Sequence, residues 1–293
     1  MSRAIPFAPA PPDRMAWING RLVRGGEASL SVFDRGARDG GGLFETLRLY
    51  DGRPFAWERH MERMVLSAAI LGFPVPPAPR QLREAVDELL AAQGLRDAVV
   101  RITVTRGIAG GRPTRVGAWI EAETVASRLW TGARTGRTRA ICSPLAFEPG
   151  TLGAHKTTSR MAWDLAREQA RAAGVDEVLL LSPDGFVLEG SASNVFVFRD
   201  DELLTPPLSH HVLPGITRAI VLELCRELGI RCRELPLVRE HLRWAEEVLL
   251  TNSVQEVLPL AELDGRALAS REAADRLLAA YRGRVAADAD RAG

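Results

Sequence analysis

Hydrophobic positions along this chain follow two periods, and the alternation between them predicts its elements. Residues 16–23 carry Asn19-Gly20 at their centre, a pair that accepts the positive φ angles of a tight turn, so they read as a hairpin. Residues 43–50 read as a strand ended by the turn Asp51-Gly52. From 58 to 71 the apolar residues Met61, Met64, Val65, Ala68 and Leu71 recur at helical spacing, and Gly72 and Pro74 end that helix. Residues 81–92 predict a second helix with Leu82, Val86, Leu89 and Leu90 on one face. Strands at 98–105 and 116–122 follow, joined by a loop rich in glycine and arginine.

Periodicity breaks between 126 and 139, where glycines and basic residues replace the apolar pattern, and this segment is the candidate linker. Beyond it, a strand near Ala140 and a long helix over 159–173 are predicted. The apolar run 177–181, the turn Pro183-Asp184-Gly185 and the returning strand 186–188 form a second hairpin unit, which 194–198, Asp200-Asp201 and Leu203-Leu204 extend. Residues 216–228 predict a helix burying Ile220, Val221, Leu224, Cys225 and Leu228, followed by a strand at 247–251 and a closing helix at 271–282. At 293 residues the chain is long for one core, so two domains are expected. The reading is a disordered tail over 1–13, a small α/β domain over 14–125, a linker over 126–139 and a larger domain over 140–293. Mixed α/β order with hairpins in both halves argues against a doubly wound parallel sheet.

Composition narrows the function. Hydrophobic residues at 46% and charged residues at 26% are ordinary globular values. A net charge of +1 makes no electrostatic case for nucleic acid, which needs a concentrated basic surface, so no nucleic-acid partner is expected. Cys142, Cys225 and Cys232 have neither metal-ligand spacing nor a number that completes a disulfide framework. No apolar run approaches the ~18 residues of a membrane span, and the Pro/Ala-rich start lacks the apolar core of a signal peptide, so the expected location is the cytoplasm.

The candidate chemistry lies in a few segments. Basic residues are overwhelmingly arginine, and Lys156 stands alone in its region. Schiff-base chemistry needs a primary amine that can be neutral, which arginine does not provide. Lys156 follows Pro149-Gly150-Thr151-Leu152-Gly153 and precedes the predicted helix, whose positive dipole end would lower its pKa; a solvated surface lysine is the alternative. Glu189 closes an apolar strand just before Gly190-Ser191-Ala192-Ser193-Asn194, placed to point into a cleft or, equally, to cap a turn. Leu213-Pro214-Gly215-Ile216-Thr217-Arg218 opens a helix whose free N–H groups at Ile216 and Thr217 suit a phosphate, though Pro-Gly before a helix also occurs without any ligand. Thr251-Asn252-Ser253 offers a further hydroxyl or is an ordinary turn. Arg63 is a phosphate candidate beside an apolar stripe, or simply a solvated arginine.

Taken together, Glu189-Gly190-Ser191-Ala192-Ser193-Asn194-Val195-Phe196 and Leu213-Pro214-Gly215-Ile216-Thr217-Arg218 strongly resemble the class IV pyridoxal-phosphate enzymes. That group includes branched-chain and D-amino-acid aminotransferases, (R)-amine transaminases and aminodeoxychorismate lyases, and the likeness runs in order from about Trp17 to about Ala267. The resemblance implies an α/β, two-domain fold with pyridoxal 5'-phosphate in the interdomain cleft, and a homodimer in which a loop of the neighbouring subunit closes the site. It implies that Lys156 holds the aldehyde, Glu189 pairs the pyridine nitrogen, and Arg63, Ile216, Thr217 and Ser253 bind the phosphate. Ser193 and Asn194 are further implied cofactor contacts, and Phe44, Thr46, Arg112 and Val254 are implied substrate contacts.

Two departures bear on the reaction. Phe44 and Met161 stand where some relatives carry a tyrosine, and the loop Thr105-Arg106-Gly107-Ile108-Ala109-Gly110-Gly111-Arg112 lacks both the Arg-x-His carboxylate trap of D-amino-acid aminotransferases and the aromatic strand of typical branched-chain enzymes. Its Gly-Gly-Arg, with Gly42-Leu43-Phe44-Glu45-Thr46-Leu47-Arg48, is similar to aminodeoxychorismate lyases. Two reactions are therefore expected candidates: transfer of an amino group from an amino acid or amine to a 2-oxo acid, or a lyase reaction releasing pyruvate to give 4-aminobenzoate.

Overall fold

A computed structural model of the protein describes residues 14–108 and 116–291. The expected tail and Arg112 lie outside the described residues. The chain divides into two compact units, Met1–Val125 with Thr157–Ser159, and Ala126–Lys156 with Arg160–Gly293.

In the first unit, β1 (Met15–Ile18) and β2 (Arg21–Arg24) form the expected hairpin, with Asn19 and Gly20 at φ 49° and 93°. A short helix α1 (Arg35–Asp39), capped by Asp34, leads into β3 (Gly42–Tyr50) and β4 (Arg53–Pro54). Helices α2 (Trp57–Ile70) and α3 (Pro79–Gln93) follow, then β5 (Ala98–Thr105) and β6 (Ala118–Thr124). The strands pair in the order β2-β1-β6-β5-β3-β4. Side chains alternate across a strand, so β3 buries Leu43, Leu47 and Leu49 against the helices and turns Phe44, Thr46 and Arg48 to the other face. The core is completed by Met61, Met64, Leu82, Val86, Leu89, Ile102 and Ile120. Val65 does not join it: it is 45% exposed, because it lies to one side of the stripe set by Trp57, Met61, Met64 and Ala68.

The second unit begins where linker was expected, and that segment carries the helical turns α4 (Val125–Arg128) and α5 (Thr131–Thr135). Asp176 organises it, accepting from Gly132 N at 2.8 Å and Arg139 N at 3.0 Å. Then come β7 (Arg139–Ala146), α6 (Met161–Ala172), β8 (Glu177–Leu181), β9 (Phe186–Gly190), β10 (Asn194–Arg199) and β11 (Glu202–Thr205). The chain continues through α7 (Ile216–Leu228), β12 (Arg231–Glu234), β13 (Leu237–Val238), α8 (Arg239–Trp244), β14 (Glu247–Asn252), β15 (Glu256–Pro259), β16 (Glu262–Leu263), β17 (Arg266–Ala267) and α9 (Glu272–Arg291).

These strands form two sheets, β12-β11-β10-β14-β15 and β13-β9-β8-β7-β16-β17. Among the described residues, the parallel pairs are β7 with β8, β7 with β16 and β11 with β12; the rest are antiparallel, as the mixed element order predicts. The sheets pack face to face through Leu179, Leu181 and Val187 from one and Val195, Val197, Val248 and Leu250 from the other. On the far side of β8 and β9, α6 lays Trp163, Ala166 and Ala170 over Val178, Leu180 and Leu188. Covering β8 on both faces explains why its apolar run is continuous rather than alternating.

Candidate active site

Glu189 is the last residue but one of β9 and is 6% exposed. Its Oε2 accepts from the Leu213 backbone N–H at 3.0 Å and from Asn194 Nδ2 at 3.4 Å, and its Oε1 accepts from Trp163 Nε1 at 3.4 Å. Burial pushes its carboxyl up to about 7, and the Leu213 and Trp163 hydrogen bonds and the charges of Arg160 and Lys156 restrain that rise. This is a carboxylate kept nearly dry and held in place, which suits pairing with a cationic ring nitrogen.

The turn after Gly190 is built by Glu177, a residue that sequence reasoning read only as the start of an apolar run. The buried Glu177 carboxylate accepts from Ser191 N and Ala192 N, each at 3.1 Å, and from Ser193 Oγ at 2.9 Å. The Ser193 hydroxyl, expected on the cofactor, is thus donated to Glu177. Asn194 likewise serves the scaffold: besides Glu189, its Nδ2 donates to the Leu213 carbonyl at 2.9 Å. A Cβ on Gly215 would lie 2.0 Å from Asn194 Oδ1, so glycine is required for this loop to close on Asn194.

Immediately beyond, α7 starts at Ile216 with Gly215 as its N-cap and no side chain capping it. The buried first-turn residues Ile216, Thr217 and Arg218 therefore present their N–H groups and the positive helix end to whatever binds there. The adjacent hairpin is set by Asn252, which accepts from Val254 N at 2.9 Å and Gln255 N at 2.7 Å and donates to the Ala192 carbonyl at 3.1 Å. Asn252 thereby ties the turn bearing Ser253 and Val254 to the turn that follows Glu189. The Thr251 hydroxyl at its base is buried without a hydrogen-bond partner.

Lys156 is the only lysine in the sequence. It lies five residues ahead of α6, because the helix begins at Met161 rather than at the expected Ser159. A helix dipole acts within its first turn, so the expected dipole effect on Lys156 is not what this geometry offers. Its location is set instead by the turn Gly150–Ala154, where a Cβ on Gly153 would meet the His211 carbonyl oxygen at 2.0 Å and the Pro149 ring at 2.8 Å. Gly153 thus lets the lysine-bearing loop seat against the chain that leads to α7.

In the first unit, Arg63 is locked to the buried Glu45 through Nε at 2.8 Å and Nη2 at 2.6 Å, and His60 Nδ1 lies 2.7 Å from the same carboxylate. Burial raises the Glu45 carboxyl, but Arg63 and His60 outweigh it and hold the group at about 2. Glu45 and His60 escaped sequence reasoning; the signal was a carboxylate on the core-facing side of β3, which requires a buried cation. Phe44 is buried beneath the Arg101 guanidinium, 3.8 Å from its ring centroid, and Thr46 is half-buried on the same face.

The Amino-transferase class IV family matches residues 42–263. The chain is 34% identical over 264 residues to a putative branched-chain-amino-acid aminotransferase of Methanocaldococcus jannaschii, covering 87% of this chain and 90% of that protein. It is 30% identical over 266 residues to the D-alanine aminotransferase of Bacillus licheniformis, covering 86% and 89%. Among solved structures, the branched-chain aminotransferase of Thermoproteus uzoniensis with norvaline aligns at TM-score 0.83 and 30% identity, covering 94% of this chain and 95% of that one. The PLP-bound form of a hypothetical aminotransferase from Mycobacterium tuberculosis aligns at TM-score 0.83 and 28% identity, covering 94% and 99%. The chain belongs to the class IV aminotransferases.

Pyridoxal phosphate fits the donor set of the second unit: one amine, one buried carboxylate and an uncapped buried helix start, linked by Leu213 and Asn194. Two outcomes test this geometry. Because burial raises Glu189 above its unfolded value, its contribution favours the fold at low pH and is lost as pH rises through about 7. In cofactor-free protein, Glu189→Gln should therefore be more stable than wild type by on the order of 3 kcal/mol above about pH 8, with the gap closing near about pH 4, as read from denaturant melts. Gly153→Ala should lower cofactor occupancy sharply while far-ultraviolet circular dichroism stays unchanged; full occupancy would show that the lysine loop does not depend on this contact.

Proposed function

We propose that this pyridoxal-phosphate-dependent aminotransferase uses Lys156 as its catalytic amine, moving an amino group from an amino acid to a 2-oxo acid. The observation that carries the assignment is the meeting, within one unit, of the sole lysine, the buried Glu189 and the uncapped start of α7. Pyridoxal 5'-phosphate is the cofactor, and when bound it supplies an electron sink that makes the proton on the amino-bearing carbon removable. Lys156 Nζ would hold the cofactor through its aldehyde and, once displaced by the incoming amino group, would be the base that moves that proton. Glu189 keeps the ring nitrogen protonated, so the sink stays effective. The N–H groups of Ile216 and Thr217 with the Ser253 hydroxyl hold the phosphate, joined by Arg63, whose guanidinium plane Glu45 sets.

The relatives reported above are named as aminotransferases, which favours transfer over the lyase reaction. Branched-chain amino acids are the proposed donors. The name of the Methanocaldococcus jannaschii relative supports them. Phe44, Thr46, Val254 and Arg112 are the proposed substrate contacts. A homodimer is proposed on the exposure of Val32 and Phe33 in one unit and Met161 and Leu165 in the other, since apolar side chains this exposed favour a partner surface. No helix among the described residues is long and apolar enough to cross a membrane, and a cytoplasmic location is the reading that suits the cofactor and free thiols.

Borohydride reduction of the yellow enzyme followed by peptide mass spectrometry should place the cofactor on Lys156, and Lys156→Ala should abolish both labelling and turnover. Labelling at the N-terminal amine alone would refute the role of Lys156. Mixing the enzyme with L-leucine, L-valine and D-alanine should bleach the cofactor absorbance fastest with the branched-chain donors; no bleaching with any donor would favour the lyase. Arg63→Ala should weaken cofactor retention on dialysis by roughly 10-fold to 100-fold, the effect of one lost charge-assisted contact. It should also destabilise the fold by about 3–5 kcal/mol, because Glu45 is left buried with its main partner gone.

A further inference from the structure

We infer that Trp163 and Arg160 are positioning residues that fix the plane and ionisation of Glu189, and through it the proton at the cofactor's ring nitrogen. The inference rests on the pairing of Glu189 with that nitrogen. Of the three donors to the carboxylate, Leu213 N–H at 3.0 Å is close, whereas Trp163 Nε1 and Asn194 Nδ2 at 3.4 Å are long. A long donor is useful only if it is aimed, and the indole is aimed from two sides. Its ring meets the Phe147 ring edge-on, with centroids 4.8 Å apart and planes at 73°. The Arg160 guanidinium lies 5.4 Å from the Trp163 ring, and its Nη2 donates to the Ser191 carbonyl at 2.6 Å. Arg160 thus fastens the start of α6 to the turn that follows Glu189, and the indole N–H is left facing Glu189 Oε1.

Both residues push in one direction. An N–H aimed at a buried carboxylate and a cation nearby favour its ionised form, against the desolvation that favours the acid. The charges of Arg160 and then Lys156 favour the ionised form of Glu189. Lys156 changes its proton state during the reaction, whereas an arginine keeps its charge throughout, so Arg160 is the constant partner. A tryptophan that only filled the space over Val178 and Leu188 would need no N–H facing a carboxylate, and phenylalanine would serve as well.

The test follows the proton rather than the rate. In the full-length cofactor-free chain, the carboxylic C=O infrared band that Glu189→Gln removes reports Glu189 protonation. Trp163→Phe should raise its midpoint by about half a pH unit, a threefold change in acid dissociation, and Arg160→Met by about one unit. In the holoenzyme carrying a 15N-labelled pyridine nitrogen, both variants should move the nitrogen shift toward the unprotonated value. Unchanged midpoints and nitrogen shifts in both folded variants overturn the inference. If Trp163→Phe does not fold, Arg160→Met, which leaves the indole on Phe147, decides alone. A nitrogen shift that Glu189→Gln leaves unmoved would overturn the pairing itself; one moved by Glu189→Gln but by neither other variant would leave the pairing standing and remove only the roles of Trp163 and Arg160.

Discussion

A carboxylate buried at the end of a β-strand must find donors, and the arrangement around Glu189 follows from that requirement. Its bond from the Leu213 N–H fixes the loop that starts α7. Asn194, which also donates to Glu189, holds the same loop by the Leu213 carbonyl and leaves room only for glycine at 215. One satisfied carboxylate therefore sets how the end of β9 and the start of α7 lie against each other. The turn that carries Glu189 onward is in turn built on a second buried carboxylate, Glu177.

The first unit solves the same problem differently. Glu45 sits among core leucines of β3 and is neutralised by Arg63 and His60 from α2. Removing either partner of such a pair costs more than the pair contributes, which keeps an arginine in place on α2. The phosphate contact proposed for Arg63 thus falls on a side chain that the fold already requires.

Much of this was legible in the chain. The period of apolar positions located α2, α3 and α7 to within a residue or two, and Asn19-Gly20 marked its hairpin, because burial and turn sterics act over a few residues. The segments around Glu189 and Ile216 carried the family likeness. The contributions of Glu177, Glu45, Trp163 and Asn252 were not legible, since each depends on a partner 14 or more residues away, as Ser191 is from Glu177, or 60 residues away, as Ala192 is from Asn252. The hydrogen bonds of Ser193 to Glu177 and of Asn194 to Leu213 were not legible for the same reason: a motif names residues but not the direction in which their side chains donate. Lys156 was read as helix-proximal because the irregular chain from 157 to 160 has no periodicity to mark the true start of α6.

If Lys156, Glu189 and the start of α7 hold one molecule of pyridoxal phosphate, as proposed, a crystal of the protein grown with that cofactor will show density continuous from Lys156 Nζ, the ring nitrogen within hydrogen-bond distance of Glu189, and the phosphate against the N–H groups of Ile216 and Thr217. A ring nitrogen that faces any group other than Glu189, or a phosphate bound away from α7, would refute that arrangement.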